Sequence, residues 1–288
     1  MGSKSNQNLQ NTYGRINLHR EIGGLIRHYS TNKTNIYDLA LQNLTFSDSI
    51  NVLDLGCGFG QFSAHLKNLI PNGSNITGID PLESNRKPFL DYTNKFHFSG
   101  IFHCHSANLI TELKDNSYDL IISGFSLYFF SELLPEIARV LKSDGIFLSI
   151  THSKFSLIEL LDDIQYALDI PVPITAEHLG LDQTLADFNS QNGDRVLKPY
   201  FNTIDNTVYQ NQLVFHRKSF DHCVKFVKFK LNTVSHDSHY HNTFNEQRFK
   251  NRLSDSIKNK MEKEGSYRLN KTDAIFRCRQ PIKRKTKE

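Results

Sequence analysis

From Asn51 to Thr151, short apolar runs alternate with stretches of helical period. Ile50-Asn51-Val52-Leu53-Asp54-Leu55 has the near-continuous apolar character of a strand covered on both faces. Ile76-Thr77-Gly78-Ile79-Asp80, Gly100–His105, Tyr118–Ser123 and Ile146–Thr151 repeat that character. Between the first two, Phe62, Leu66, Leu69 and Ile70 share one face of a helix over Gln61–Ile70, which Pro71-Asn72-Gly73 stops. Leu133–Leu141 predicts a further helix, closed by Ser143-Asp144-Gly145. Buried strands separated by helices predict an α/β fold with a doubly wound, mostly parallel sheet. Such sheets take ligands at the carboxyl ends of their strands, where the connections part to opposite faces. That rule singles out Asp54–Gly60, Asp80–Glu83, Ser106–Leu109, Ser123–Tyr128 and His152.

The remainder has a different texture. Phe155–Leu168 predicts a helix, followed by Pro171-Val172-Pro173 and a polar stretch to about Asn211 without a strand period. Residues 153–218 are therefore expected to form a mostly helical insertion that caps the active site. Ser219 predicts the start of a helix through Phe220, Cys223, Val224 and Val227, with a strand from about Phe229 to Val234. Asn245–Glu264 predicts a strongly charged helix ended by Gly265, and Lys271–Arg279 alternates as a final strand. The expected division is 1–49 as an N-terminal helical segment, 50–152 as the binding core, 153–218 as the cap, and 219–288 as completion of the sheet with a basic tail.

Composition narrows the class. No run of about 18 apolar residues is present, so no membrane-spanning helix is expected. The opening Met1-Gly2-Ser3-Lys4 leads into polar residues rather than the apolar centre of a secretory signal. The four cysteines, Cys57, Cys104, Cys223 and Cys278, form no close pair, which disfavours a metal knuckle or redox motif and points to a reducing, cytoplasmic setting. Charge is uneven: residues 1–200 hold 15 Lys and Arg against 21 Asp and Glu, residues 201–288 hold 19 against 9. The basic last third can face an anionic partner or remain a solvated surface.

Chemistry concentrates in Asp54-Leu55-Gly56-Cys57-Gly58-Phe59-Gly60. Glycines let the backbone turn sharply and approach a ligand without a Cβ in the way, and the following helix starts with free N–H groups. Dehydrogenase-type domains use similar loops. Asp54, however, sets a carboxylate where a pyrophosphate would be repelled and an ammonium welcomed. Asp80 closes the next strand, where a carboxylate can accept both hydroxyls of a ribose. No Lys-Ser/Thr pair follows the glycines, so the loop is no P-loop.

Val52–Gly60 resembles motif I of the class I S-adenosylmethionine-dependent methyltransferases, and Ile76–Asp80 resembles their second motif. Asn116–Ser123 and Leu134–Phe147 are similar to the family's fourth strand and to its following helix and fifth strand. The resemblance covers roughly residues 50–152. It implies a Rossmann-like, seven-stranded sheet with an antiparallel last strand, which Lys271–Arg279 would supply. It also implies S-adenosylmethionine as cofactor and S-adenosylhomocysteine as product. By the same resemblance Gly56, Cys57, Gly58, Phe59 and Gly60 pack against the methionine part, Asp80 holds the ribose, and Pro81 and Leu82 flank the adenine. Ser106, Ala107 and Asn108 stand where many members place an acid for the adenine amine; no acid is present here.

The fourth-strand segment addresses the acceptor. Ser123-Gly124-Phe125-Ser126 lacks the proline-containing motif of base-amine methyltransferases and looks more like small-molecule O-, N- or C-methyltransferases, with nucleic acid a less favoured substrate. Ser123, Gly124 and Phe125 are expected beside the cofactor. For a general base, His152 after the fifth strand, Tyr128 after the fourth and His216 before the Ser219 cap are the catalytic candidates. The resemblance also implies that the N-terminal segment 1–49 folds over the cofactor, which makes Tyr13 a candidate for the cofactor carboxylate, with Arg15 two residues on. His236-Asp237-Ser238-His239-Tyr240-His241 lacks a tetrahedral ligand set, so no metal is expected. The leading expectation is an enzyme that methylates a small molecule within an enclosed pocket. The alternatives are an RNA- or protein-directed methyltransferase using the basic last third, or a non-catalytic S-adenosylmethionine-binding module.

Overall fold

The structure, a computed structural model, describes residues 14–171, 175, 185–234 and 240–283. Its nine strands are β1 (Asn51–Leu55), β2 (Asn75–Asp80), β3 (Ser99–Cys104), β4 (Tyr118–Gly124), β5 (Leu141–His152), β6 (Phe201–Tyr209), β7 (Gln212–His216), β8 (Ser266–Asn270) and β9 (Asp273–Pro281), counted among the described residues. Seven form one sheet in the order β3-β2-β1-β4-β5-β9-β6. β1 pairs in parallel with β2 and β4, β2 with β3, and β4 with β5. β9 runs antiparallel to both β5 and β6. This is the α/β sheet with an antiparallel last strand that the family resemblance implied. The order reverses between β1 and β4, which places the ligand crevice at their carboxyl ends.

Burial on both faces explains why the strands were visible. Within β1, Val52 packs into one core with Leu120, Ile122, Phe62 and Phe89. Its neighbour Leu53 packs into another with Ile121, Ile137 and Phe147. Successive side chains point to opposite faces, so β1 feeds two cores and carries no polar face. The helices α1 (Ile16–Tyr29), α2 (Ile36–Leu41), α3 (Arg86–Lys95), α4 (Leu134–Val140), α5 (Leu160–Leu168), α6 (Phe220–Val234) and α7 (Gln247–Glu264) supply the cover. Arg277 of β9 donates to the carbonyls of Leu39 and Ala40 and ties α2 against the sheet.

A third core sits beside the sheet. Ile22 of α1, Ile164 of α5, Phe226 of α6, Leu253 and Ile257 of α7, and Phe215 and Leu269 from the two-stranded sheet β7-β8 meet there. α7 shows the logic: Phe249, Leu253, Ile257 and Met261 recur every four residues and are buried. Each such side chain contributes about 1.5–3 kcal/mol of transfer free energy. Gly265 then ends the helix at a φ of 77°, a left-handed cap that glycine adopts freely.

Several elements differ from expectation. Phe201–Tyr209, within the stretch expected to lack strands, is the edge strand β6. The strand expected near Phe229–Val234 is absent, because α6 continues through it and buries Phe226, Val227 and Leu231. Ser63–Asn68 winds as a 3-10 helix rather than an α-helix. The helix expected from Phe155 begins at Leu160, and Phe155 is 46% exposed. β7 and β8 were not anticipated.

Candidate active site

The glycine loop hangs from the end of β2. Gly56 and Cys57 both donate their N–H to Ile79 O, at 2.9 and 3.3 Å. Gly60 N–H returns to Cys57 O at 2.9 Å and closes the turn. Gly56, Gly58 and Gly60 have φ of 70°, 50° and 83°, the left-handed region that side chains adopt at a cost. A Cβ at Gly56 would lie 2.5 Å from Ser126 Cβ, and one at Gly60 would lie 3.3 Å from Phe89 Cδ2. At Gly58 it would meet nothing within 4 Å. Two glycines thus let the protein close on the loop, and the third faces open space.

Asp80 is the hub of this end. Its Oδ2 accepts the N–H of Gly58 at 2.9 Å, and its Oδ1 accepts Leu82 N–H at 3.0 Å and Asn85 Nδ2 at 2.9 Å. Burial raises its pKa, and those three donors hold the rise back. Pro81 and Leu82 follow directly, with Leu82 buried. Ser106 begins a 3-10 turn over Ala107–Glu112, and Asn108 is exposed.

Asp54, 1% exposed, accepts Ser63 Oγ at 2.5 Å. Burial lifts its pKa to about 7, with Ser63 opposing and the Asp80 charge adding to the rise. Ser126 Oγ donates to Leu55 O at 2.7 Å and pairs with Ser123 Oγ at 2.7 Å, joining the ends of β1 and β4.

A second cluster forms at the end of β5. His152 and Asp273 are register partners across β5 and β9. His152 Nδ1 lies 2.7 Å from Asp273 Oδ1. Lys271 Nζ donates to both oxygens of Asp273, at 2.8 and 2.6 Å. Burial lowers the His152 pKa to about 4, helped by Lys271 and opposed by Asp273. Burial alone would raise the Asp273 pKa; the charges of Lys271 and His152 outweigh it and bring it down. The imidazole is therefore neutral near pH 7, with Nδ1–H directed at the carboxylate and Nε2 able to take a proton. Phe125, at a φ of 58°, stacks on His152 with ring centroids 4.6 Å apart. Tyr128 stacks more loosely at 6.2 Å. Tyr37 of α2 joins the two clusters: its ring meets Phe125 at 6.3 Å, and its hydroxyl pKa is raised by burial and by the charges of both Asp54 and Asp273. β5 lies two strand spacings from β1, about 10 Å of sheet.

Most residues singled out from the sequence thus converge at one end of the sheet. His216 does not: it is exposed on β7, opposite Ser266 in the small sheet. Tyr13 lies outside the described residues, as do His236, Asp237, Ser238 and His239. Ser63, Asn85, Tyr37, Lys271 and Asp273 were missed as site residues, while Ser126 lay within the segment Ser123–Tyr128 that the strand ends singled out. Only the alternation that marked Lys271–Arg279 as a strand hinted at the last two.

Residues 53–149 match the family model described as a methyltransferase domain. The malonyl-[acyl-carrier protein] O-methyltransferase of Bacillus cereus is 33% identical over 41% of this chain and 44% of its own length. That of Bacillus anthracis is 31% identical over 42% of this chain and 44% of its own. The chain thus spans less than half the length of these curated relatives. Among solved structures, the cyclase SpnF superposes with a TM-score of 0.51 at 16% identity, covering 95% of each chain, a likeness of fold alone.

Proposed function

We propose that this chain, which carries a methyltransferase domain of the class I Rossmann-like fold, transfers a methyl group from S-adenosylmethionine to a small-molecule acceptor. The carrying observation is the bond from Gly58 N–H to Asp80, which joins the glycine turn and the ribose-binding carboxylate into one cradle. The residues fit the cofactor on two counts. The open space at Gly58 is where a Cβ would intrude on a ligand. Asp54 and Asp80 supply acceptors for the ammonium and hydroxyls that this molecule carries. In this reading Gly56–Gly60 approach the methionine part and Asp80 holds the ribose. Leu82 and Pro81 border the adenine, with Ser106–Asn108 near its edge. An ammonium beside Asp54 would favour its charged form, offsetting the desolvation that lifts its pKa.

When bound, S-adenosylmethionine supplies an activated methyl for in-line displacement. The protein's part is alignment and exclusion of water. Phe125 and Tyr128 stack beside His152, and in this reading His152 Nε2 takes the acceptor proton while Asp273 orients the ring and steadies the imidazolium. The two curated relatives are named for an acyl group on a carrier protein. A carboxylic or acyl acceptor, free or carrier-borne, is therefore the first class to assay.

Incubation with methyl-labelled S-adenosylmethionine and a cell extract, followed by size separation, tests this. Label in small molecules, or on a thioester-linked acyl group, supports the reading. Label in RNA or on protein side chains overturns the acceptor class. Cofactor binding with no labelled product overturns the enzyme reading.

A further inference from the structure

Lys230 lies on α6 and is half-buried. Its ammonium sits 6.0 Å from the Phe226 ring centroid and 5.8 Å from that of Phe229. Consecutive residues of α1 tie this stretch of α6 to the glycine turn. The His19 ring meets Phe229 edge-on at 5.0 Å, and the Arg20 guanidinium lies 5.3 Å over Phe59. Lys230 is also electrostatically part of the cluster at the end of β5. Burial lowers its pKa to about 8, with the Lys271 charge adding to the fall and Asp273 opposing it. In turn the Lys230 charge helps to lower the pKa of His152. Such mutual effects place these groups in one low-dielectric neighbourhood. Lys271 is 4% exposed and directs its ammonium at both oxygens of Asp273, 5.4 Å from the Phe125 ring centroid.

We infer that the methyl acceptor is a carboxylate-bearing molecule whose carboxylate is held by Lys230 beside His152. The inference rests on the acceptor site proposed above and deepens it. Of the three charges that act on His152, those of Lys271, Asp273 and Lys230, two are cationic. An anionic acceptor is drawn to this end of the sheet and a cationic one is repelled. Lys271 is no anchor, because Asp273 occupies its ammonium and little of it reaches the surface. Lys230 keeps accessible surface and carries its ammonium on a flexible stem. Its one charge matches a carboxylate rather than the nearly double charge of a phosphate ester. A carboxylate there also favours the charged form that burial opposes. The rings of Phe125 and Tyr128, stacked beside His152, suit the apolar remainder of such a molecule.

A cell extract supplied with the wild type and methyl-labelled S-adenosylmethionine tests this. The labelled acceptor should bind an anion exchanger or, where its carboxylate is the methylated group, release the label as methanol in mild base. Label only in neutral or cationic compounds with base-stable methyl groups overturns the inference, as does retention that phosphatase abolishes. With the acceptor fraction purified in this way, Lys230→Gln should raise KM about 10- to 100-fold. Its kcat and S-adenosylhomocysteine affinity should stay near wild type, the pattern of lost ground-state binding. Lys230→Arg, which keeps the charge, should lose less. A KM that does not move, a loss confined to kcat, or an equal loss in Lys230→Arg overturns the inference. Should Lys230→Gln not fold, hexanoate should inhibit labelling by the wild type more than hexanamide does; equal inhibition overturns it. A wild type that transfers no label sinks the enzyme reading itself, and one that labels RNA or protein side chains sinks the acceptor class, results separate from all of these.

Discussion

His152 and Asp273 stand opposite each other across the β5–β9 register, with Nδ1 2.7 Å from Oδ1. The bond fixes the tautomer that leaves Nε2 as the base. Replacing His152 by Gln removes that base and keeps a polar side chain of similar reach. The expected outcome is a kcat reduced by about 10²–10⁴-fold, with S-adenosylhomocysteine affinity within about twofold of wild type on the scale of small surface changes. Steady-state kinetics beside calorimetry checks both. An unchanged kcat assigns the proton transfer elsewhere.

The same ring makes stability depend on pH. Burial brings the His152 pKa to about 4 in the folded protein, against about 6.5 when unfolded. Between those values only the unfolded chain binds the proton. Stability therefore falls as pH drops from about 6.5 to 4, then levels off. The ring keeps 23% of its surface exposed, which trims the effect to about 2–3 kcal/mol. In denaturant titrations, the pH slopes of stability for wild type and His152→Asn should differ only in that window.

Asp54 works in the opposite sense. Its folded pKa near 7 lies above its unfolded value, so stability without ligand falls as pH rises from about 4 to 7. Asp54→Asn should remove most of that slope, worth up to about 4 kcal/mol, and weaken S-adenosylhomocysteine binding at pH 8. A variant whose pH profile matches the wild type would refute the buried, desolvated carboxylate.

The loop glycines should separate folding from binding. Gly56→Ala drives a Cβ to 2.5 Å from Ser126 at a φ of 70°, and a loss of about 2–4 kcal/mol in stability is expected. Gly58→Ala meets no protein atom within 4 Å, so only about 1–2 kcal/mol of left-handed backbone strain is expected. Its methyl enters the ligand's space, so binding should suffer more than stability does. Thermal melts with and without S-adenosylhomocysteine distinguish the two; equal ligand-induced stabilisation in Gly58→Ala and wild type would contradict this.

How much was legible depended on how local each feature is. β1, β2, β4 and β5 announced themselves because most of both faces is buried, and the edge strand β3 by its short run Gly100–His105. β6 did not, because Asn202, Asp205 and Asn206 are exposed polar residues that break the apolar pattern. Polar side chains on an edge strand also guard it against pairing with another chain. The loop and Asp80 were readable because strand–turn–helix and the next strand end are neighbours in sequence. Asp273 was not, since it meets His152 across 121 residues and only the antiparallel β9 brings it there. Tyr37 and Asn85 had no sequence signal: one depends on how α2 packs, the other on the short turn after Leu82.

The central claim is that Asp80 grips the sugar of the cofactor held by the glycine turn. Calorimetric titration of S-adenosylhomocysteine into wild type and Asp80→Ala measures it most directly. Saturable binding to the wild type and a loss of about 1–3 kcal/mol in the variant are expected, the scale of charged hydrogen bonds. Equal affinity in the two proteins, or a wild type that takes a nicotinamide dinucleotide in preference, would contradict it.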